Sequence, residues 1–280
     1  MPETMKFITD HYSNFRKSEV KVADFVLQNA DAVIHYTVSE LADLTAVSEP
    51  TVIRFCRAIG CKGYQDFKIR LAQSIVPAVR GIHETVNEGE EAPELVRKVF
   101  EANSEAIRQT LGTLDFETVR RAVQELAVAR KIIFFGLGGS AVVAMDAYHK
   151  FFRIGIPCHW FNDAHMALMT ASMMQPGEVF MAISHSGSSR DVVEALEVAA
   201  ATGATTMAIV SHSKSPVSKI ASRTLCVASS ETGYRFEPMA SRIAHLSVID
   251  VLSVGVSLNR EQAVVENLTR ARKALARKKY

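Results

Sequence analysis

From Lys131 onward five short apolar runs, KIIFFG, GIPCHWF, EVFMAIS, TTMAIVS and TLCVAS, alternate with amphipathic stretches. Runs this short suit strands that are buried on both faces. A helical stretch separates each run from the next, so neighbouring strands are joined by crossovers, which return parallel and place helices over the sheet. The pattern predicts an α/β fold, a doubly wound parallel sheet closed by a long helix from Met239 to Leu258.

The first eighty residues follow another rule. Val20, Phe25, Val26 and Leu27 recur at helical spacing behind a Ser18 cap, with Val22 and Ala23 in the same stripe. The tetrapeptide TVSE, Thr37 to Glu40, has capping-box spacing and opens a second helix. A third opens at Ser48, with Pro50 in its first turn, and stops at Gly60. A fourth runs from Tyr64 to Val76 and ends at Pro77. The acidic stretch TVNEGEEAP, Thr85 to Pro93, reads as a linker, and helices are expected over Glu94–Leu111 and Phe116–Ala129. The expected division is an all-α helix-turn-helix domain over 1–77, connecting helices over 78–120, the α/β domain over 121–262 and a basic tail over 263–280.

Thr37 to Ile59 reads as helix, tight turn, helix. Leu41, Val47, Val52 and Phe55 supply the apolar contacts, and Ala42 is small where the helices cross. Ser48 caps the second helix and leaves Glu49, Pro50 and Thr51 facing outward, the position from which such a helix enters a major groove. Arg54 and Arg57, three residues apart, share a face on which a guanidinium fork can take a guanine edge or a phosphate. Ser48, Thr51 and Lys62 are candidate phosphate contacts. The turn has Ala46 where glycine would adopt the needed backbone more easily. Net charge is only +2, but it is unevenly spread. Arg54, Arg57, Lys62, Lys68, Arg70 and Arg80 stand against Asp66 alone, whereas Ser18 to Pro50 carries Glu19, Asp24, Asp31, Glu40, Asp43 and Glu49 against Lys21. A basic face toward DNA and an acidic face turned away is the simplest arrangement.

Two glycine- and serine-rich turns follow predicted strands: Gly136, Gly138, Gly139 and Ser140 in the first, Ser184, Ser186, Gly187, Ser188 and Ser189 in the second. Each opens a helix at the carboxyl end of a parallel strand, where α/β sheets bind ligands. Glycines admit an anion to backbone amides, serines add donors and the helix N-terminus favours negative charge, so phosphate is the expected guest. The first turn lacks the third glycine of a dinucleotide fingerprint, and no acidic residue follows at Cys158-His159-Trp160, so no nucleotide cofactor is expected.

Cys56, Cys61, Cys158 and Cys226 have no zinc spacing and read as free thiols of a reducing, cytoplasmic compartment. The N-terminus lacks a signal core and no apolar run is read as membrane-spanning. His149, His159, His165 and His185 repeat no metal-binding spacing, although His149 and His185 are expected beside the ligand turns. Met166, Met169, Met173 and Met174 follow helical spacing and read as core. The basic RARKALARKKY reads as a solvated helix end. An enzyme, such as a sugar-phosphate isomerase with a helical appendage and Glu237 or His185 as base, would leave the arginine-bearing helix-turn-helix without a purpose. A non-enzymatic, ligand-controlled DNA-binding protein is the reading that uses every motif.

The wording TVIRFCRAIGCKGYQDFK resembles the signature of the RpiR family of regulators, in which a helix-turn-helix precedes a sugar isomerase (SIS) domain. Phe55, Tyr64, Gly60, Gly63 and the basic helix after them match that pattern. The paired turns resemble the SIS domain from about Arg121 to Leu258. The resemblance implies that Ser140, Ser184, Ser186 and Ser189 hold a sugar phosphate, with Gly138 and Gly187 in the same turns. It also implies that Glu237, Ser241 and Arg242 reach toward the neighbouring pocket of a homodimer or homotetramer. AMDAYHKFFRIGIPC and PMASRIAHLSVIDVL are similar to HexR-type members, regulators of hexose catabolism that sense 2-keto-3-deoxy-6-phosphogluconate. The implied partners are operator DNA and a phosphorylated sugar or sugar acid.

Overall fold

The computed structural model describes residues 3–75, 89–228 and 239–276. Val76, Pro77, Arg80, the start of the acidic linker and Glu237 lie outside them. The chain divides between Ala102 and Asn103 into two compact units.

Short helices build the first unit: α1 (Glu3–Asp10), α2 (Lys17–Gln28), α3 (Ala30–Val33), α4 (Val38–Leu44), α5 (Glu49–Ala58) and α6 (Tyr64–Ile75). Val22, Val26, Leu41, Val52, Phe55, Phe67 and Leu71 form its fully buried core, in which Phe55 and Phe67 meet edge to face at 5.8 Å. α2 does not start at a Ser18 cap. The Glu19 carboxylate accepts the Arg16 backbone N–H at 2.9 Å, so the helix begins at Lys17. The buried stripe is therefore Glu19, Val22, Ala23 and Val26, with Val20, Phe25 and Leu27 only half-buried.

Lys68 departs from the expected basic face, because it is buried. Its Nζ donates to Tyr36 O at 2.8 Å, and the Tyr64 hydroxyl donates to the same carbonyl at 3.0 Å. Its alkyl stem thus belongs to the core while its amine satisfies the Tyr36 carbonyl in the link from α3 to α4.

The second unit is the predicted sheet. Its strands are β1 (Ile132–Phe135), β2 (Cys158–Phe161), β3 (Val179–Ser184), β4 (Thr205–Val210) and β5 (Arg223–Cys226), all parallel, in the order β2-β1-β3-β4-β5. β1 and β3 are buried along their whole length, as strands covered on both faces must be. α8 (Phe116–Val128), α9 (Gly139–Arg153) and α13 (Ala240–Asn259) cover one face. α10 (Ala164–Ser172), α11 (Arg190–Ala201) and α12 (Pro216–Ile220) cover the other. Phe134 packs on Phe151 of α9 on the first face, and Phe135 on Phe180 toward the second. The helix α7 (Ala92–Thr113) buries Ala106 and Thr110; Thr110 Oγ1 accepts the Ala228 N–H at 3.0 Å just past β5.

Two expectations change here. α13 is long and apolar enough by composition to cross a membrane, contrary to the reading above, because it is a core helix whose Val248, Ile249, Leu252 and Val256 pack inward. Of the four methionines read as core, only Met174 is buried; Met166, Met169 and Met173 lie on the outer side of α10. The basic end agrees with its reading as a solvated helix end: residues 269–276 are the exposed last turns of α14 (Glu261–Ala276), whose earlier part packs on α9 through buried Val264 and an Asn267 Nδ2 donation to Ile154 O at 3.3 Å.

Burial pushes the Lys68 pKa down to about 8 from 10.5, with Glu40 opposing the shift. Between these values the unfolded chain holds more protons than the folded one, so stability should rise with pH across that window, by at most about 1.4 kcal/mol per pH unit. Urea melts at pH 8 and 10 should show this gain in the wild-type chain relative to Lys68→Met, which keeps the stem and lacks the proton; parallel pH dependence in the two would refute it.

Candidate functional site

α4 opens on the expected capping box: Thr37 Oγ1 accepts the Glu40 N–H at 3.1 Å, and Glu40 Oε2 accepts the Thr37 N–H at 2.7 Å. The turn into α5 passes through Ala46 at φ 51°, the one non-glycine with positive φ among the described residues. A left-handed alanine costs on the order of 1 kcal/mol, and Thr45 holds the turn in place by donating from Oγ1 to Leu41 O at 2.7 Å. Ser48 stands at the N-cap, but its hydroxyl pairs with Thr51 Oγ1 at 3.0 Å in place of a backbone amide. Thr51 is 5% exposed and accepts from Arg54 Nη2 at 2.8 Å. The Arg54 Nε also lies 3.9 Å from Glu19 Oε1. Arg54 is thus oriented by Thr51 and Glu19, while Ser48, Arg57 and Lys62 stand exposed. The acidic face is smaller than charge counting suggests. Glu19 and Glu40 are caps, and Glu49 accepts the Ser39 hydroxyl at 2.7 Å.

In the second unit the chain leaves β1 toward β2 on one side and reaches β3 on the other. The carboxyl ends of β1 and β3 therefore border the crevice that such a reversal of strand order opens. Both glycine-serine turns emerge there. A Cβ on Gly136 would lie 2.6 Å from Ser140 O, so only glycine lets α9 begin against the strand end. Gly138 is the N-cap of α9 at φ 55°, and Ser140 is half-buried in the first helical turn. Across the crevice, Ser184 is buried and its Oγ accepts the Gly187 N–H at 3.1 Å. Gly187 has φ 62°, and a Cβ on it would meet Ser215 Oγ at 2.3 Å. Ser186 Oγ accepts the Ser188 N–H at 3.3 Å. Ser189 is the N-cap of α11, and its hydroxyl makes no cap bond. Two helix N-termini, α9 and α11, thus open at one crevice, a setting that favours an anion. Arg242 is half-buried in the first turn of α13.

The histidines weighed from sequence do not gather. His149 is exposed toward the far end of α9, away from the turns, His159 is exposed on β2, and His165 is exposed on α10. Among the described residues no group of three His, Cys, Asp or Glu could hold a metal. His185 instead neighbours His212 and His245, which sequence reasoning passed over. The signal was present: the tripeptide Ser-His-Ser occurs at 184–186 and again at 211–213, each at the end of a strand. None of the four cysteines is in a disulfide, and burial raises the Cys56, Cys61 and Cys158 thiols, the last to about 12, which holds them protonated.

Comparison with known proteins agrees on both units. Residues 3–78 match the model of the helix-turn-helix domain of the rpiR family, and residues 125–255 match the SIS domain. The HTH-type transcriptional regulator HexR of Escherichia coli K12 is 36% identical over 273 residues, covering 98% of this chain and 94% of that protein. HexR of Pseudomonas aeruginosa is 36% identical over 280 residues, covering 100% and 98%. Among solved structures, the Vibrio vulnificus NanR protein complexed with ManNAc-6P superposes with a TM-score of 0.88 at 26% identity, covering 99% of both chains. Both of these full-length relatives are named as HTH-type transcriptional regulators. The chain belongs to the rpiR family of helix-turn-helix transcriptional regulators that carry a SIS domain.

Proposed function

We propose that this regulator grips its operator through α5 and releases or tightens that grip when a phosphorylated sugar or sugar acid binds between the β1 and β3 turns. The observation that carries the reading is the convergence of two glycine-serine turns and two helix N-termini at the sheet's switch point, in a chain whose other unit presents Arg54 and Arg57 on one helix. On the DNA side, Arg54 and Arg57 read base edges or phosphates, with Ser48 and Lys62 on the backbone and Thr51 holding Arg54 in aim. On the effector side, Ser140, Ser186 and Ser189 supply donors, Ser184 and Gly187 shape the turn, Gly138 opens α9, and Arg242 adds charge; Glu237 stands with them as a candidate from the sequence alone. The ligand of NanR supports a sugar phosphate as a class, and likeness to HexR supports control of carbohydrate catabolism, with 2-keto-3-deoxy-6-phosphogluconate as the first compound to try. Cytoplasmic location follows from this role.

Reading a two-fold operator takes a dimer. Val142, Met145 and Phe152 of α9 and Val251, Val254 and Leu258 of α13 are exposed on two helices packed side by side and joined by Lys150 and Asp250 at 2.5 Å. An apolar strip of this extent on a soluble protein marks an association surface, and we assign it to a second copy of the chain.

Arg57→Ala should weaken operator affinity by about 10- to 100-fold in gel shifts, as loss of one specific arginine contact does, with the melting temperature unchanged; wild-type affinity would remove α5 as the reading helix. Ser140→Ala should retain operator binding and lose the response to 2-keto-3-deoxy-6-phosphogluconate or to whichever sugar phosphate stabilises the wild type in a thermal-shift panel. A full response in that variant would move the site elsewhere. Met145→Asp with Val254→Asp should sediment as a folded monomer at micromolar concentration, and a dimer of unchanged affinity would refute the assigned interface.

A further inference from the structure

Serine hydroxyls and backbone amides recognise a phosphate, which every phosphorylated sugar carries, so choosing one sugar takes other polar groups nearby. Three imidazoles stand at the β3 turn. His185 lies within it, between Ser184 and Ser186; its ring centroid is 6.1 Å from that of His212, just past β4, and 6.4 Å from that of His245 on α13. They arrive from three separate elements, and two of them are held in orientation. His185 Nδ1 is 3.0 Å from Ser211 Oγ, and the Ser211 N–H donates to His185 O at 3.0 Å. His245 Nδ1 is 2.7 Å from Ser241 O. A carbonyl only accepts, so His245 Nδ1 carries the proton and the tautomer is set. His245 is 2% exposed. Burying an imidazole costs stability that an apolar side chain of α13 would not, and neighbouring imidazoles repel one another once protonated. Packing alone gives no reason for the cluster, whereas its place beside the anion turn does.

We propose that His185, His212 and His245 form the selective wall of the effector site: they hydrogen-bond the hydroxyl, carbonyl or carboxylate groups of the sugar while the serine turns hold its phosphate. This rests on the effector site proposed above and adds what that site lacks, a means of telling one sugar phosphate from another.

The full-length chain is titrated calorimetrically with inorganic phosphate, glucose 6-phosphate, fructose 6-phosphate, 6-phosphogluconate and N-acetylmannosamine 6-phosphate. His185→Asn and His212→Asn, with His245→Gln as the buried counterpart, should each compress the spread of affinities among the sugars by about tenfold or more, the effect of one lost hydrogen bond. Affinity for inorganic phosphate should stay within about twofold of wild type, because the turns are intact. Ser184→Ala should instead weaken all five ligands together. Retention of the wild-type ranking in the two asparagine variants overturns the proposal, as does a uniform loss that includes inorganic phosphate. Absence of binding by every ligand to the wild-type chain would refute the effector site itself, an outcome distinct from either.

Discussion

A parallel sheet in which the chain departs from one strand in both directions cannot close over its own middle. Here that strand is β1, flanked by β2 and β3, and the crossovers leaving β1 and β3 run to opposite faces. The crevice at their carboxyl ends is a consequence of topology before any side chain is chosen. The sequence then places its most permissive backbone there. Gly136 lets α9 start within van der Waals distance of the strand end, and Gly138 and Gly187 take positive φ at the two lips. What the fold leaves open, the residues leave polar.

The N-terminal unit meets a different demand, presenting a few side chains in fixed aim on a very small core. Buried polar groups do much of that aiming. Glu19 ties down the start of α2 and stands near Arg54; Thr51 accepts from Arg54; Lys68 and Tyr64 share the Tyr36 carbonyl. An arginine whose rotamer is already limited loses less entropy on meeting a partner than one swinging free. Arg54 and Arg57 are both exposed on one helix face, but Arg54 is oriented by Thr51 and lies near Glu19.

Features governed by nearest neighbours were legible in the sequence. The five strands, the box at Thr37 and Glu40 and the left-handed turn at Ala46 follow from runs, spacings and backbone chemistry within a few residues. Misreadings arose where distant packing decides. Lys68 counted toward the basic face, but a carbonyl 32 residues away takes its amine. The methionines of α10 have helical spacing, but spacing does not tell which side of a helix is covered. The paired serine turns were visible, yet the histidines beside them come together only once β3, β4 and α13 are assembled.

The β3 turn is also clamped from behind. Gly187 is in contact with the fully buried Ser215 at the start of α12; its carbonyl accepts the Val217 N–H at 3.0 Å and its own N–H is held by Ser184. A loop so tied has little freedom left to surrender, so in the effector site we propose the ordering entropy of capture falls mainly on the incoming molecule. Such a seat suits a rigid guest over a floppy one of the same charge. It also means that a signal leaving this turn travels as a displacement of packed elements, since there is no slack in the loop to absorb it.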